Sequence, residues 1–362
     1  MVGTRAEILR LRPEILADDP DAILMPGLVN SHAHLELTGL PGKIPARMHF
    51  TKWLCRVIRK KQEMVSGEIS RNIRRGEEAL LDFGVTAVAD IASFPSALRA
   101  PRLLRTIVLR EVIGLRSVVC LPRGGAAISP HAPYSLSDEN LNRISRWWDR
   151  RPNSIVSMHI AESGDETAYF VKGEGLFKKF YEDMKIPART VPGRRPIAYL
   201  DSMRLLRRGL LAVHANDVTA EEARLLAERG VTVAVCPGSL DFFRFPRLGV
   251  RRLMAAKVPI VFGTDSAASN RGLNLFRELR LARRFWPMPA RRIVESATSV
   301  PGEKIWGGSV GKLQRGAFAD LILVGAARSL SNPFEDLLAK KAEERIQIRI
   351  LAGRMMTQTK AN

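Results

Sequence analysis

Cysteine is scarce in this chain: its 362 residues hold three, Cys55, Cys120 and Cys236, and no CxxC pair occurs. That excludes both a disulfide scaffold and a cysteine zinc site. No apolar run approaches the ~20 residues of a membrane helix. The N-terminal MVGTRAEILRLRP is charged within its first turns and lacks the apolar core of a secretory signal. Internal repeats and low-complexity segments are missing too. These absences lead us to expect a cytoplasmic protein with no membrane partner.

Acidic residues are outnumbered, 37 against 57 basic ones, which leaves a formal charge of +20. Such a field can attract nucleic acid, anionic substrates or membrane surfaces. The basic residues, however, are scattered in short groups (Arg56 to Lys61, Arg71 to Arg75, Arg204 to Arg208, Arg277 to Arg292), often on amphipathic stretches. They read as solvated helix faces, with no specific nucleic-acid partner. Trp147 and Trp148, beside Arg146 and Arg150, read as packing at a helix end and not as a stacking platform.

Hydrophobic residues make up 46% of the chain, ample for a large core. Eight short apolar segments begin near 28, 85, 107, 126, 154, 209, 231 and 258. Helical patterns separate them, at about 50–64, 67–82, 96–105, 137–149 and in pieces over 165–207. Thr219 and Glu222 form a capping box, and Gly230 closes that helix. Near-continuous apolar strands belong to parallel sheets buried on both faces. Eight of them with helical crossovers predict an α/β (β/α)8 TIM barrel over 27–305; a doubly wound open sheet is the alternative architecture. Residues 1–24 read as polar and irregular. LILVG after Asp320 and IQIRILAGRMM (346–356) read as strands outside the barrel. Segments 1–26 and 306–362 are therefore expected to build a small composite, β-sandwich-like domain.

The six histidines carry the chemistry. His32, His34, His131, His159 and His214 fall at or just beyond the C-terminal end of an expected strand; only His49 does not. Asp265 ends the eighth strand in the same way. Side chains two apart on a strand share a face, so His32 and His34 project together. Neutral imidazole suits zinc and its neighbours, and barrel chemistry sits on the face built from strand ends. A shared metal site follows. Glu162 stands three residues beyond His159, near the metal and not on it, where a protonated carboxyl can give and later collect a proton.

The segments PGLVNSHAHLE, SPHAPYS, MHIAES, AVHAND, VCPGS and GTDSAASN, with the closing GSVGKLQRGAFADLILV, span nearly the whole chain. In these pieces the sequence resembles the amidohydrolase superfamily, in its cytosine-deaminase and S-adenosylhomocysteine-deaminase-like branch. HLELTGL, REVIG and HAPYS look most like aminodeoxyfutalosine-deaminase-like members. The resemblance implies that His32, His34, His159 and Asp265 bind one divalent metal ion, Zn2+ first, with Fe2+ or Mn2+ also compatible with the ligand set. It implies Glu162 as proton shuttle, His214 and Asp265 as the groups that orient the hydrolytic water, and His131 as a contact to a heterocyclic small-molecule substrate. No lysine stands at strand four to bridge a second metal. The implied reaction is release of ammonia from an aminated, purine- or nucleoside-like heterocycle, 6-aminodeoxyfutalosine included. Hydrolysis of a cyclic amide or of a chlorinated or otherwise substituted heteroaromatic ring is the enzymatic alternative. A polyanion-binding protein with a vestigial site is the non-enzymatic one. The resemblance also allows a homodimer. Family members begin with further strands before the PGLVNSHAH segment, so the small domain is expected to be incomplete.

Glu36, Trp53, Arg110 and Glu111 lie where substrate contacts can form. Trp53 serves equally as a core anchor, and Arg110 and Glu111 as a structural pair. Gly307 to Gly311 matches GxSxG, but it precedes a strand and has no histidine downstream, which removes the serine-hydrolase reading.

Overall fold

The computed structural model describes residues 22–45, 48–124, 127–326 and 332–356. The polar segment 1–21 and Ala126, expected at the head of a strand, lie outside them.

Eight parallel strands form one sheet in sequence order: β2 (Leu28–Ala33), β3 (Val85–Ala92), β4 (Arg105–Val112), β5 (Ile128–Pro130), β6 (Val156–Ile160), β7 (Leu210–His214), β8 (Thr232–Val235) and β9 (Ile260–Phe262). Helices cover the outside, beginning with α1 (Phe50–Glu63) and α2 (Ser66–Asp82). The last strand returns to the first at a single bridge, Ala33 with Asp265, where the Asp265 amide donates to the His32 carbonyl at 3.0 Å. Side-chain bonds lock the same seam: Asn30 Nδ2 donates to Thr264 Oγ1 at 2.8 Å, and Asn30 Oδ1 accepts from the Thr264 amide at 3.1 Å. The sheet is thereby curled into a nearly closed TIM barrel, the architecture the apolar strands predict.

Strand alternation divides the core in two. Leu210 and Ala212 pack outward against the helices, whereas Leu211 and Val213 pack inward with Ala234 and Val261. Trp306, closing the helix Ser299–Trp306, touches the inward sets of several strands and plugs the barrel's base. The opposite end, at the strands' C-termini, is left for the site.

The second sheet is antiparallel, in the order β1 (Ala22–Pro26), β10 (Leu321–Gly325), β11 (Ile346–Leu351) and β12 (Arg354–Met356). Strand β1 begins inside a segment that reads as irregular, because pairing with β10 supplies what its own pattern lacks. The run 346–356 is two strands and not one: Ala352 and Gly353 both take positive φ and make a tight hairpin turn. Gly27 joins the sheets, and a Cβ there would lie 2.1 Å from the Thr86 hydroxyl, so only glycine lets the chain pass. The basic helix expected over 96–105 is only Pro95–Arg99. Pro101 forces Ala100 into extended backbone, and β4 has already begun at Arg105.

Candidate active site

Four buried side chains meet at the C-terminal mouth of the barrel. One donor atom from each of His32, His34, His159 and Asp265 lies within 4.8 Å of all the others. His34 Nε2 is 3.4 Å from His159 Nε2, and Asp265 Oδ1 is 3.5 Å and 3.6 Å from Nε2 of His32 and His34. Ligands about 2.1 Å from a central zinc in tetrahedral array stand about 3.4 Å apart, so the spacing fits such an ion. The hydrogen-bond inventory agrees. Both ring nitrogens of His32 and Nδ1 of His34 are buried with no hydrogen-bond partner, a costly state that a cation at Nε2 partly relieves. His159 Nδ1 donates to the His131 carbonyl at 2.7 Å, which turns the lone pair of its Nε2 into the cluster. Burial holds the His34 imidazole down at about 3 and His159 well below its usual value, so both are neutral at pH 7, the form that binds metal. Burial alone would raise Asp265, yet the imidazoles around it keep its carboxyl well below the usual range.

Backbone irregularities aim these groups. Val29 faces inward, and strict alternation would send Ala33 inward with it, but Ala33 packs outward. The slip coincides with a register irregularity against β3 between Asn30 and Ala33, which turns His32 and His34 into the barrel. His214 follows inward-facing Val213, so alternation would point it out; its φ of +72° turns it in. Asp265 also takes a left-handed backbone, φ +57°.

Glu162 is buried beside the cluster, with Oε1 3.5 Å from His214 Nε2. Its amide donates to Glu166 Oε2 at 2.9 Å, and its carbonyl accepts from Asn216 Nδ2 at 3.0 Å. Burial, with the negative charge of Asp265, raises its carboxyl well above the usual value, so it holds a proton at neutral pH. Burial lowers His214 to about 4, leaving it a neutral base.

A cavity of about 360 Å3 opens over this arrangement, walled by His34, His131, His159, Glu162, His214 and Asp265 at its inner end. His131 Nδ1 lies 3.1 Å from Ser135 Oγ. Trp53 is on the wall, and its Nε1 donates to the Ala268 carbonyl at 3.2 Å, so it is both cover and anchor. Arg110 is absent from the wall: Glu111, its neighbour on β4, faces the cavity, and alternation turns Arg110 away. Glu36 is also off the wall. It is fully buried and accepts from the Ser93 amide at 3.0 Å, with Lys61 Nζ 3.4 Å away.

Lys61 and Ser93 line the cavity although no motif marks them. Lys61 Nζ is 3.2 Å from Glu111 and donates to Ser93 Oγ at 2.6 Å. Burial opposes both charges, but the pair wins: Glu111 is held at about 2 and Lys61 above its usual value. A signal for Lys61 was in the chain. Trp53, Val57 and Lys61 are spaced by four residues along α1, so the lysine lies on that helix's apolar, inward face.

The profile of the Amidohydrolase family matches residues 23–356. Among curated proteins, the chain is similar to the 5'-deoxyadenosine deaminase of Methanothrix thermoacetophila, 27% identical with 91% of this chain and 81% of the relative covered. It is 26% identical to the aminodeoxyfutalosine deaminase of Nitratiruptor sp., covering 93% and 87%. Among solved structures, an adenosine deaminase from Xanthomonas campestris with bound zinc superposes with a TM-score of 0.80 at 25% identity, over 93% of this chain and 80% of that one.

Proposed function

The chain belongs to the amidohydrolase family, and from that premise and the geometry of its barrel mouth we propose that it deaminates an aminated, purine-like nucleoside with release of ammonia. The observation that carries this reading is a proton-bearing Glu162 buried beside four converging metal-ligand atoms. The relatives' printed activities, all on adenosine-type amines, support the substrate class.

His32, His34, His159 and Asp265 hold the cation, for which zinc suits the donor set. When bound, it supplies Lewis acidity that brings the pKa of water down towards 7. His214 Nε2 and the Asp265 carboxylate orient the hydrolytic water. His131, on the cavity wall, contacts the heterocycle. Glu162 gives its proton to the ring nitrogen next to the amine-bearing carbon, which makes that carbon electrophilic. The oxygen of water adds there, and the proton that water gives up returns through Glu162 to the amine. Ammonia leaves neutral, and the product keeps a carbonyl and a ring N–H in place of the amine. A leaving group that departs as an anion has no need of that second proton delivery, so Glu162 favours deamination over displacement of halide.

The test is a coupled ammonia assay of metal-replete protein on adenosine-type nucleosides, 6-aminodeoxyfutalosine, guanine and cytosine. Turnover on the nucleosides is expected; silence on every amine would sink the proposal. Glu162→Gln should lower kcat by about 10²- to 10⁴-fold while metal content, measured by elemental analysis, stays at one ion per chain. Unchanged turnover would rule out the proton-shuttle role.

A further inference from the structure

The cavity wall changes character from its inner end outwards. Beyond the histidines and carboxylates lies a chamber built from Val57, Ile58, Phe94, Ile113, Leu115 and Ile186. Ile58, Phe94, Leu115 and Ile186 are half-buried and Ile113 is 55% exposed, so this chamber is the mouth, apolar surface held open to water. Among the described wall residues the one Lys or Arg is Lys61, and Glu111 and Glu36 already pair with it at 3.2 Å and 3.4 Å. In a chain with 57 basic residues, none offers a free cation to whatever enters here.

Resting on the aminohydrolase reading above, we propose that this chamber selects the substituent at the far end of the substrate. It requires that substituent to be apolar and uncharged over the stretch the chamber covers. The substrate class is then a nucleoside-like amine carrying an alkyl, alkylthio or aryl group. A zwitterionic amino-acid tail or a phosphate is excluded. The physical reason is twofold. Covering the exposed isoleucines and Phe94 removes apolar surface from water, which favours an apolar tail. A charged tail would lose its hydration and find no partner of opposite sign. The Lys61–Glu111 pair is electrically balanced and offers a donor and an acceptor, which suits hydroxyl groups better than anions.

The experiment compares kcat/KM of the zinc-loaded full chain on adenosine, 5'-deoxyadenosine, 5'-methylthioadenosine and S-adenosylhomocysteine. 5'-Methylthioadenosine should exceed adenosine by about tenfold or more, the scale of an added apolar group in an apolar pocket. S-adenosylhomocysteine should fall below it by about a hundredfold or more, the scale of an unpaired buried charge. Ile113→Arg, at an exposed position that the fold tolerates, should narrow the ratio between the last two substrates by about tenfold. Its melting temperature and metal content should match those of the parent protein. Equal kcat/KM on all four nucleosides, a preference for S-adenosylhomocysteine, or a ratio untouched by Ile113→Arg would overturn the chamber's role and leave the aminohydrolase reading standing. No ammonia from any of them would overturn both.

Discussion

His214 reaches the site because its own backbone bends, with φ at +72°, and not because of its place in the strand. Its neighbour Glu162 depends on Glu166, whose carboxylate accepts from the amides of Ala161 at 3.2 Å and Glu162 at 2.9 Å. Burial raises the Glu166 carboxyl to about 8 from an ordinary 4.5. The folded state therefore binds a proton that the unfolded chain has lost between those values. Stability from this group is full below pH 4.5 and drains as pH rises to about 8. Glu166→Gln, which never ionises, should flatten that part of the stability–pH curve in urea melts; an unchanged slope would remove the assignment. None of this was legible in the sequence. HIAES shows Glu162 three residues beyond His159, but whether a carboxyl holds its proton depends on burial.

The seam between β2 and β9 is where elements determine the site. Gly263 lies against His32: a Cβ there would come within 2.8–2.9 Å of that residue's Cβ, carbonyl oxygen and amide nitrogen. Gly263→Ala should push the two strands apart at a ligand position, at a cost of about 1–3 kcal/mol by the usual penalty of overpacking. Metal affinity should fall although every ligand remains. Isothermal titration with zinc and thermal melts check both outcomes, and unaltered affinity would show that the seam relaxes freely. The strands themselves were legible because each is a short apolar run buried on both faces. Element ends were less so. The helix at Pro95 stops where Pro101 forbids another turn, and the 346–356 run breaks at Ala352 and Gly353. Arg110 and Glu111 show the cost of a one-residue phase error: only the fold says which of two neighbours faces inward, and it chose Glu111.

Over the whole molecule, the cation ties together strands far apart in sequence, since its ligands come from residues 32 to 265. Ligand binding to the native state alone stabilises it by about 4 kcal/mol at a thousandfold excess over Kd. Exhaustive chelation should accordingly lower the melting temperature by about several degrees, and one equivalent of zinc should restore it; a melt indifferent to chelator would count against the centre. The positive charge is spread in exposed pairs such as Arg74–Glu78, Arg229–Asp201 and Arg291–Glu295, which fits solvated helix faces. Among the described residues no helix is long and apolar enough to cross a membrane. By itself the sequence determined the eight-strand alternation, the placing of five histidines and an aspartate at strand ends, and the carboxyl beside them. These follow from local periodicity and residue type, which a linear chain displays. Only the tertiary structure decided how the cavity is walled: that Lys61 enters it neutralised, that Glu36 stays beneath it, and that the mouth is apolar. Those properties arise between residues distant along the chain, and solvent exclusion around a group exists only once the chain has closed around it.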